Sequence, residues 1–140
     1  MVTEFSAGAV VVDGEGRTVV IVPTRRAAGG SKVLALPKGH PDGGENPADA
    51  AARELREEAG VEAELVERLG EVRYRYQREG RRVAKVVAFF LFRYLAGSPD
   101  DHDHEVEEAH WVDLAEAAST LTYPGEREMA RRALARTAVV

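Results

Sequence analysis

Runs of apolar residues alternate with short polar segments along the first part of the chain. The runs Phe5 to Val12 and Thr18 to Val22 are rich in β-branched residues, and the segment between them carries two glycines. This pattern predicts two strands joined as a β-hairpin. Beyond them, the sequence predicts a glycine-rich loop over residues 27 to 32 and a brief strand over Val33 to Leu36.

The middle of the chain carries the start and stop signals of a helix. Asn46 is a favourable N-cap, Pro47 suits the first helical position, and Asp49 places a negative charge in the first turn. Gly60 is a typical C-terminal stop. The apolar positions between these signals are mostly small, namely Ala48, Ala51, Ala52, Leu55 and Ala59. We therefore expect a helix whose apolar face packs closely on a sheet.

The second half of the chain begins with strand-forming sequence. Stretches within Glu64 to Gln77 suit extended structure, in which Tyr74 and Tyr76 point to the same side because side chains alternate along a strand. A polar turn over residues 78 to 81 follows. Val83 to Leu95 gives the strongest strand signal in the chain, and its nearly continuous apolar character indicates a central strand covered on both faces.

A short strand and two helical segments complete the pattern. Ala109 to Val112 suits a strand, Leu114 to Ala118 a helical turn capped by Asp113, and Glu126 to Ala135 a C-terminal helix. Together these elements predict an α/β fold with a central mixed β-sheet flanked by helices on both faces. Because no repeat or linker divides the chain, we expect one domain over residues 1 to 140.

Composition narrows the class of protein. Of the 140 residues, 44% are hydrophobic and 31% charged, which is typical of a globular domain with a polar surface. The net charge of −5 argues against a surface for nucleic-acid polymers, whereas a small phosphorylated ligand needs only a few local cations. The absence of cysteine excludes disulfides and thiolate chemistry.

Targeting signals do not change this picture. No signal peptide is evident, and the longest apolar run, Val86 to Phe92, is too short to span a bilayer. We therefore expect a cytoplasmic protein without a membrane partner, present as a monomer or a homodimer.

The central helix carries the most informative chemistry. Glu54, Glu57 and Glu58 lie at positions i, i+3 and i+4, so the three carboxylates share one helix face. Like charges in this arrangement repel one another and weaken the helix. A bound cation explains such a cluster, and hard divalent cations such as Mg²⁺ or Mn²⁺ take oxygen ligands of this kind.

The helix and the loop before it resemble a known sequence motif. The residues that match its fixed positions are Gly39, Glu45, Arg53, Glu54, Leu55, Glu57, Glu58, Gly60 and Val61. They fit every fixed position of the Nudix box, G-x5-E-x7-R-E-U-x-E-E-x-G-U, where U is aliphatic. The resemblance implies a Nudix-type α/β/α sandwich and a metal-dependent hydrolysis of a nucleoside diphosphate linked to another group.

The resemblance also implies roles for the box residues. Glu54 and Glu58 are the expected metal ligands, and the Gly39 carbonyl is an additional one. Glu57 is a further ligand or the general base that takes a proton from the attacking water. The expected cofactor is Mg²⁺, or Mn²⁺ in its place.

Arg53 belongs to the expected catalytic group through a mainly structural role. The resemblance implies that it pairs with Glu45 and supports the loop against the helix. The spacing from Arg53 to Glu57 also allows an i,i+4 ion pair along the helix.

Four residues outside the box are candidates for substrate binding. The Pro37-Lys38-Gly39 entry to the box resembles that of the diadenosine polyphosphate hydrolase branch, which implies that Lys38 contacts phosphate. Lys85 reaches phosphate if its end of the long strand faces the cleft. Tyr74 and Tyr76 can stack on an adenine, with a core or rim packing role as the alternative.

Glu105 is a candidate on different grounds. The order His104-Glu105 ahead of Trp111 resembles the His-Glu segment before the tryptophan-bearing strand of diadenosine tetraphosphate hydrolases. The resemblance implies that Glu105 is a distal metal ligand or a base. The surrounding stretch is acidic throughout, so a solvated surface glutamate is the alternative.

The resemblance implies a pyrophosphohydrolase that acts on a small-molecule nucleotide. The favoured substrates are dinucleoside polyphosphates such as diadenosine tetra- or hexaphosphate. The alternatives are oxidised nucleoside triphosphates, diphosphoinositol polyphosphates, which call for a denser basic cleft, and a non-catalytic nucleotide-sensing module. Non-catalytic modules typically lose glutamates of the box, and all are present here.

Overall fold

The structure, a computed structural model, describes residues 2–27 and 29–137. Its strands are β1 (Val2–Val12), β2 (Arg17–Pro23), β3 (Lys38–Gly39), β4 (Val61–Arg78), β5 (Arg81–Gly97) and β6 (Val106–Asp113). Its α-helices are α1 (Pro47–Ala59), α2 (Leu114–Thr120) and α3 (Pro124–Thr137). None of the described helices is long and apolar enough to cross a membrane. Within the glycine-rich loop predicted over residues 27 to 32, Ala28 lies outside the described residues.

The strands form two sheets. The larger has the order β3-β1-β5-β4, with β1 parallel to β5 and the other pairs antiparallel, and the smaller pairs β2 with β6. The fold prediction of a mixed sheet flanked by helices is confirmed. The predicted central strand is also confirmed, because β5 has a strand on each side and packs on both faces.

Two apolar cores cover the two faces of the larger sheet. Phe90 and Phe92 of β5 pack with Leu55 of α1 in one core. Phe89 of β5 packs with Met129 of α3 in the other. Alternation along β5 therefore places successive aromatic side chains on opposite faces, with α1 on one side and α3 on the other.

The predicted hairpin between the first two strands is wrong. β1 pairs with β3 and β5, whereas β2 leaves for the smaller sheet. Residues 6 to 11 of β1 are consecutively buried, which suits an interior strand and not one arm of a hairpin. Between the strands, the Asp13 carboxylate accepts hydrogen bonds from the backbone N–H groups of Glu15 and Arg17 and turns the chain.

The predicted strand over Val33 to Leu36 is also wrong. Within it, only Ala35 forms a bridge, to Ile21 of β2. The backbone N–H of Leu36 donates instead to the carboxylate of Glu126 in α3, at 2.8 Å. A side chain from α3 thus replaces the ladder partner that a strand would need, and pairing resumes only at β3.

The central helix forms as predicted. Asn46 accepts a hydrogen bond from the backbone N–H of Asp49 at 2.9 Å, and Pro47 begins α1. Gly60 ends it in the left-handed region, with φ of 70°. A Cβ added there would lie 2.2 Å from the carbonyl oxygen of Ser98, so this position requires glycine.

The C-terminal predictions hold with wider bounds. The predicted short strand is β6, and the two helical segments are α2 and α3, which each extend beyond the predicted residues. Asp113 occupies the N-cap of α2, but its side chain makes no capping hydrogen bond. The polar turn joins β4 to β5, where Glu79 adopts a positive φ of 52°.

Candidate active site

The carboxylates of α1 meet the backbone of β3. The Glu54 carboxylate lies against Gly39, so closely that a Cβ added to Gly39 would fall 2.3 Å from it. The carboxylate of Glu58 accepts a hydrogen bond from the backbone N–H of Lys38 at 2.9 Å. The three candidates Gly39, Glu54 and Glu58 therefore meet at one place, which only the absence of a side chain at residue 39 permits.

Burial makes these carboxylates costly to ionise without a cation. It raises the pKa of Glu54, and the nearby carboxylates of Glu57 and Glu105 add to the rise while Arg53 opposes it. Burial also raises the pKa of Glu58 to about 8, against the Lys38 N–H and with the help of Glu54. Partly buried, mutually repelling oxygen ligands fit a hard divalent cation, which would favour their ionised forms.

Arg53 occupies the centre of this carboxylate group. Its guanidinium donates to Glu45 through Nε at 3.0 Å, and through Nη1 to Glu54 at 2.9 Å and Glu57 at 3.2 Å. Its Nη2 donates to the backbone carbonyl of His40 at 2.8 Å. Both predicted pairings of Arg53 are therefore present together.

In the described part of the chain, no three acidic or histidine side chains already converge as metal ligands do.

Lys38 is an ion-pair partner of α3. Its ammonium lies 2.8 Å from the carboxylate of Glu126 and 5.8 Å from the centre of the Tyr123 ring. Its pKa is nevertheless raised, because the charge and hydrogen bond of Glu126 outweigh the opposing effect of burial. Lys38 is therefore tied to α3 by an ion pair and also lines a cavity beside the α1 carboxylates.

Glu126 was not predicted as a site residue. It is only 4% exposed and joins the first turn of α3 to both Leu36 and Lys38. Its sequence context is that of an ordinary acidic residue near a helix N-terminus, where such charges are common. No local signal could have identified its partners, since they lie 88 and 90 residues away.

Two adjoining cavities lie beside the carboxylates. The smaller, of about 440 Å³, is lined by Gly39, Glu58 and Glu105 among others. The larger, of about 1010 Å³, contains the predicted tyrosines Tyr74 and Tyr76. The residues that line both are Arg25, Lys38, His40, Tyr74 and Lys85. The structure thus brings all four predicted substrate-binding residues to the larger cavity and places Glu105 in the smaller.

Arg25 is a second residue that the sequence reasoning missed. It lines both cavities, and residues 2–27 and 29–137 supply no carboxylate that forms an ion pair with it. The backbone N–H of the preceding Thr24 donates to the carbonyl of Glu105 at 3.1 Å, which ties this loop to the Glu105 segment. The sequence signal that could have identified Arg25 was a cationic residue soon after an apolar strand.

Several polar side chains that contact one another line one wall of the larger cavity. Tyr74 and Tyr76 lie on the same side of β4, as predicted, with ring centres 6.2 Å apart. The Tyr76 hydroxyl donates to Glu4 of β1, and the Arg78 guanidinium donates to the same carboxylate at 2.8 Å. The Lys85 ammonium lies 3.9 Å from it. Glu4 was not predicted as a site residue.

The sequence motif and this fold agree with one protein family. A family model described as the NUDIX domain matches residues 2–133. The chain belongs to the Nudix family. The predicted family membership is therefore confirmed, whereas the diadenosine polyphosphate hydrolase branch stays a prediction.

Two curated relatives are 38% identical to the chain over the matched residues. One is “Putative mutator protein MutT4” of Mycobacterium tuberculosis (strain CDC 1551 / Oshkosh), matched over 133 residues that cover 92% of this chain and 54% of that protein. The other is “8-oxo-(d)GTP phosphatase” of Mycolicibacterium smegmatis, matched over 99 residues that cover 69% of this chain and 29% of that protein. The chain thus spans about half the length of the first and less than a third of the second.

A solved structure extends the likeness in fold. The Ap4A hydrolase of C. elegans, in a binary complex, superposes with a TM-score of 0.70 and 21% sequence identity. The match covers 96% of this chain and 98% of that one. At this level of identity the likeness is one of fold.

Proposed function

We propose that the chain is a pyrophosphohydrolase that cleaves dinucleoside polyphosphates, such as diadenosine tetra- or hexaphosphate, with Mg²⁺ or Mn²⁺. One observation carries this proposal. The smaller cavity, which contains Glu58 and Glu105, shares Lys38 and Lys85 with the larger one. The larger cavity also contains Tyr74 and Tyr76. Cations suit a phosphate chain and tyrosine faces suit a base, so a substrate with both fits the two cavities together.

The proposed metal ligands are Glu54, Glu58 and the Gly39 carbonyl. When bound, a divalent cation supplies charge neutralisation for the phosphates and lowers the pKa of a bound water. Arg53 holds the carboxylates in position through its bonds to Glu54 and Glu57.

The proposed reaction transfers a phosphoryl group to water. The water oxygen bonds to phosphorus, the bridging P–O bond breaks, and the leaving phosphate takes the electron pair. A carboxylate accepts the proton of the water, and the two candidates are Glu57 and Glu105. Glu105 lines the smaller cavity, and Glu57 is held by Arg53. The one of these two residues that does not accept the proton serves as a further metal ligand.

Arg25, Lys38 and Lys85 are the proposed phosphate contacts. All three line both cavities. Tyr74 and Tyr76 are the proposed stacking surfaces, and the exposed fraction of Tyr74, 43%, leaves its ring accessible to a base. This placement supports a substrate whose phosphates begin at α1 and continue toward β4.

The second candidate function is the hydrolysis of oxidised nucleoside triphosphates. The observation in its favour is the 38% identity to a protein named as an 8-oxo-(d)GTP phosphatase. Such a substrate uses the same carboxylates and a single base pocket. It differs in having a shorter phosphate chain and only one nucleoside to accommodate.

A substrate panel separates these candidates. We expect Mg²⁺-dependent hydrolysis of diadenosine tetra- and hexaphosphate, with kcat/KM at least about tenfold above that for 8-oxo-dGTP, a difference of ~1.4 kcal/mol in transition-state binding. The panel also contains dGTP and a diphosphoinositol polyphosphate, with products resolved by ion-exchange chromatography. The reverse order of kcat/KM would favour the second candidate, and no turnover of any compound would favour a non-catalytic module.

Variants assign the proton acceptor in the same assay. Glu57→Gln and Glu105→Gln each remove one candidate base, and the base variant loses about 10²-fold to 10⁴-fold in kcat. Glu64→Gln is the matched control, since Glu64 pairs with Arg93 on the same sheet and lines neither cavity. A Glu105→Gln variant as active as the parent would remove Glu105 from the proposed site.

A further inference from the structure

Glu4 lies in one row with two residues of the larger cavity. In the register of the sheet, Glu4 of β1 is opposite Lys85 of β5, and Lys85 is opposite Tyr74 of β4. Residues opposite one another on adjacent strands point to the same face. The Glu4 carboxylate therefore stands on the face that carries Lys85 and Tyr74.

Three cavity residues converge on that carboxylate. The Arg78 guanidinium donates hydrogen bonds to it from both terminal nitrogens, from Nη1 to Oε2 at 2.8 Å and from Nη2 to Oε1 at 3.1 Å. The Tyr76 hydroxyl donates to Oε1, and the Lys85 ammonium lies 3.9 Å away. All three partners line the larger cavity. One carboxylate thus neutralises cations that would otherwise face the cavity.

The Glu4 carboxylate is ionised over the whole neutral range. Hydrogen bonds from Arg78 and then Tyr76 lower its pKa to about 2. It therefore acts on the cavity as a permanent negative charge. Lys85 is close enough to Lys38 and to Arg78 for each to lower its pKa, after the larger effect of burial.

A phosphate chain that reaches Arg78 competes with the Glu4 carboxylate for the same hydrogen-bond donors. Phosphate oxygens accept the same two-pronged hydrogen bonds from arginine that a carboxylate does. A longer phosphate chain extends further along the cavity wall toward Arg78, where its oxygens compete with Glu4 for the N–H groups that both terminal nitrogens donate. Resting on the proposed function, we infer that Glu4 is a specificity-determining residue that sets how much phosphate charge the cavity accepts.

The alternative role for Glu4 is mechanical support of Tyr76 and Arg78. The two roles predict opposite effects for removal of the charge alone. Glu4→Gln keeps the length of the side chain and an acceptor oxygen for Tyr76 but removes the charge. Competition then predicts tighter binding of polyanions, and support predicts unchanged or weaker binding.

The test measures binding separately from turnover. We expect Glu4→Gln to bind inorganic tripolyphosphate about fivefold more tightly than the parent by calorimetry, as follows from one exposed charge a few ångströms away. KM for diadenosine hexaphosphate falls by a similar factor, with a smaller fall for diadenosine triphosphate and kcat unchanged. Glu64→Gln removes a charge from another Glu–Arg pair of the sheet and leaves both values unchanged.

A double-mutant cycle links the effect to Arg78. In an Arg78→Gln background, Glu4→Gln gains much less affinity for tripolyphosphate, because the cation it masks is gone. Glu4→Ala removes the acceptor as well as the charge. The inference fails if Glu4→Gln binds tripolyphosphate no better than the parent, and weaker binding by Glu4→Ala would then identify pure support. If the parent hydrolyses nothing but Glu4→Gln still binds more tightly, the proposed function fails and the role of Glu4 stands.

Discussion

The ammonium of Lys38 and the carboxylate of Glu126 lie 2.8 Å apart although 88 residues separate them in sequence. The other carboxylate oxygen of Glu126 accepts the backbone N–H of Leu36, also at 2.8 Å. Glu126 therefore fixes the segment that enters β3, by accepting the backbone N–H of Leu36 and by pairing with the charge of Lys38. Since Lys38 lines both cavities, this pair also sets where one cation faces them.

Loss of the Glu126 charge should destabilise the fold. Glu126→Gln keeps an oxygen for the Leu36 N–H but leaves the largely buried Lys38 ammonium without its anion. Removal of one partner of a buried pair costs about 3–5 kcal/mol, so we expect a loss near the lower figure in urea unfolding. Glu128→Gln is the matched control on the same helix, where the exposed pairs with Arg131 and Arg132 are worth less than about 1 kcal/mol. Equal losses for the two variants would show that the Lys38 pair contributes no more than a surface pair.

A side chain at residue 39 should disrupt the metal site more than the fold. The Cβ of Gly39→Ala would lie 2.3 Å from the Glu54 carboxylate and must displace it. Since a misplacement of about 1 Å costs about 10²-fold in rate, we expect a loss of that order in kcat on the best substrate of the panel. Gly43→Ala is the control in the same loop, because a Cβ there meets no atom within 4 Å. Full activity of Gly39→Ala would contradict the placement of the metal ligands at this contact.

The sequence was most informative where function and local structure depend on the same short segment. The ends of α1 and the pairing of Arg53 with Glu45 follow from residues within one loop and one helix, and both were predicted. The pairing partners of β1 and β2 depend on packing between distant segments, so the local glycines suggested a hairpin that does not form.

The same limit applies to the walls of the cavities. Glu4 and Glu126 contact their partners across separations of 72 to 90 residues, and neither carries a local signal. The number of cations around the larger cavity was likewise underestimated, because they come from four separate segments. These are Arg25, Arg26, Lys38, Arg73, Arg78 and Lys85. Resident carboxylates of Glu4, Glu107 and Glu126 offset part of that charge.

The turn between β1 and β2 should give the fold a dependence on acid. Burial raises the pKa of Asp13, but hydrogen bonds from the backbone N–H groups of Arg17 and Glu15 and from the Arg17 side chain outweigh it and hold the pKa below its ordinary value. A carboxyl whose pKa is depressed on folding adds stability above its unfolded pKa, and that stability is lost as the pH falls through the folded value. We expect the free energy of unfolding to decrease as the pH drops below about 4. The decrease should be less steep in Asp13→Asn.

Urea unfolding at a series of pH values from neutral to strongly acidic measures this difference. Glu15→Gln is the control, because it removes an exposed carboxylate from the same turn. A parallel pH dependence of the parent and Asp13→Asn would contradict the assignment to Asp13.

Divalent metal should stabilise the protein even without a substrate. The partly buried carboxylates of Glu54 and Glu58 repel one another, and a cation bound only by the folded state relieves that repulsion. At a free Mg²⁺ or Mn²⁺ concentration of about 100 times Kd, the expected gain is ~2.7 kcal/mol in the free energy of unfolding. Glu58→Gln should lose most of this gain and should be no less stable than the parent in EDTA, because it no longer buries a repelled carboxylate. Glu62→Gln, just beyond α1, is the control that should keep the full response to metal. A parent whose stability in urea is the same with EDTA and with saturating Mg²⁺ or Mn²⁺ would contradict a metal site at these residues.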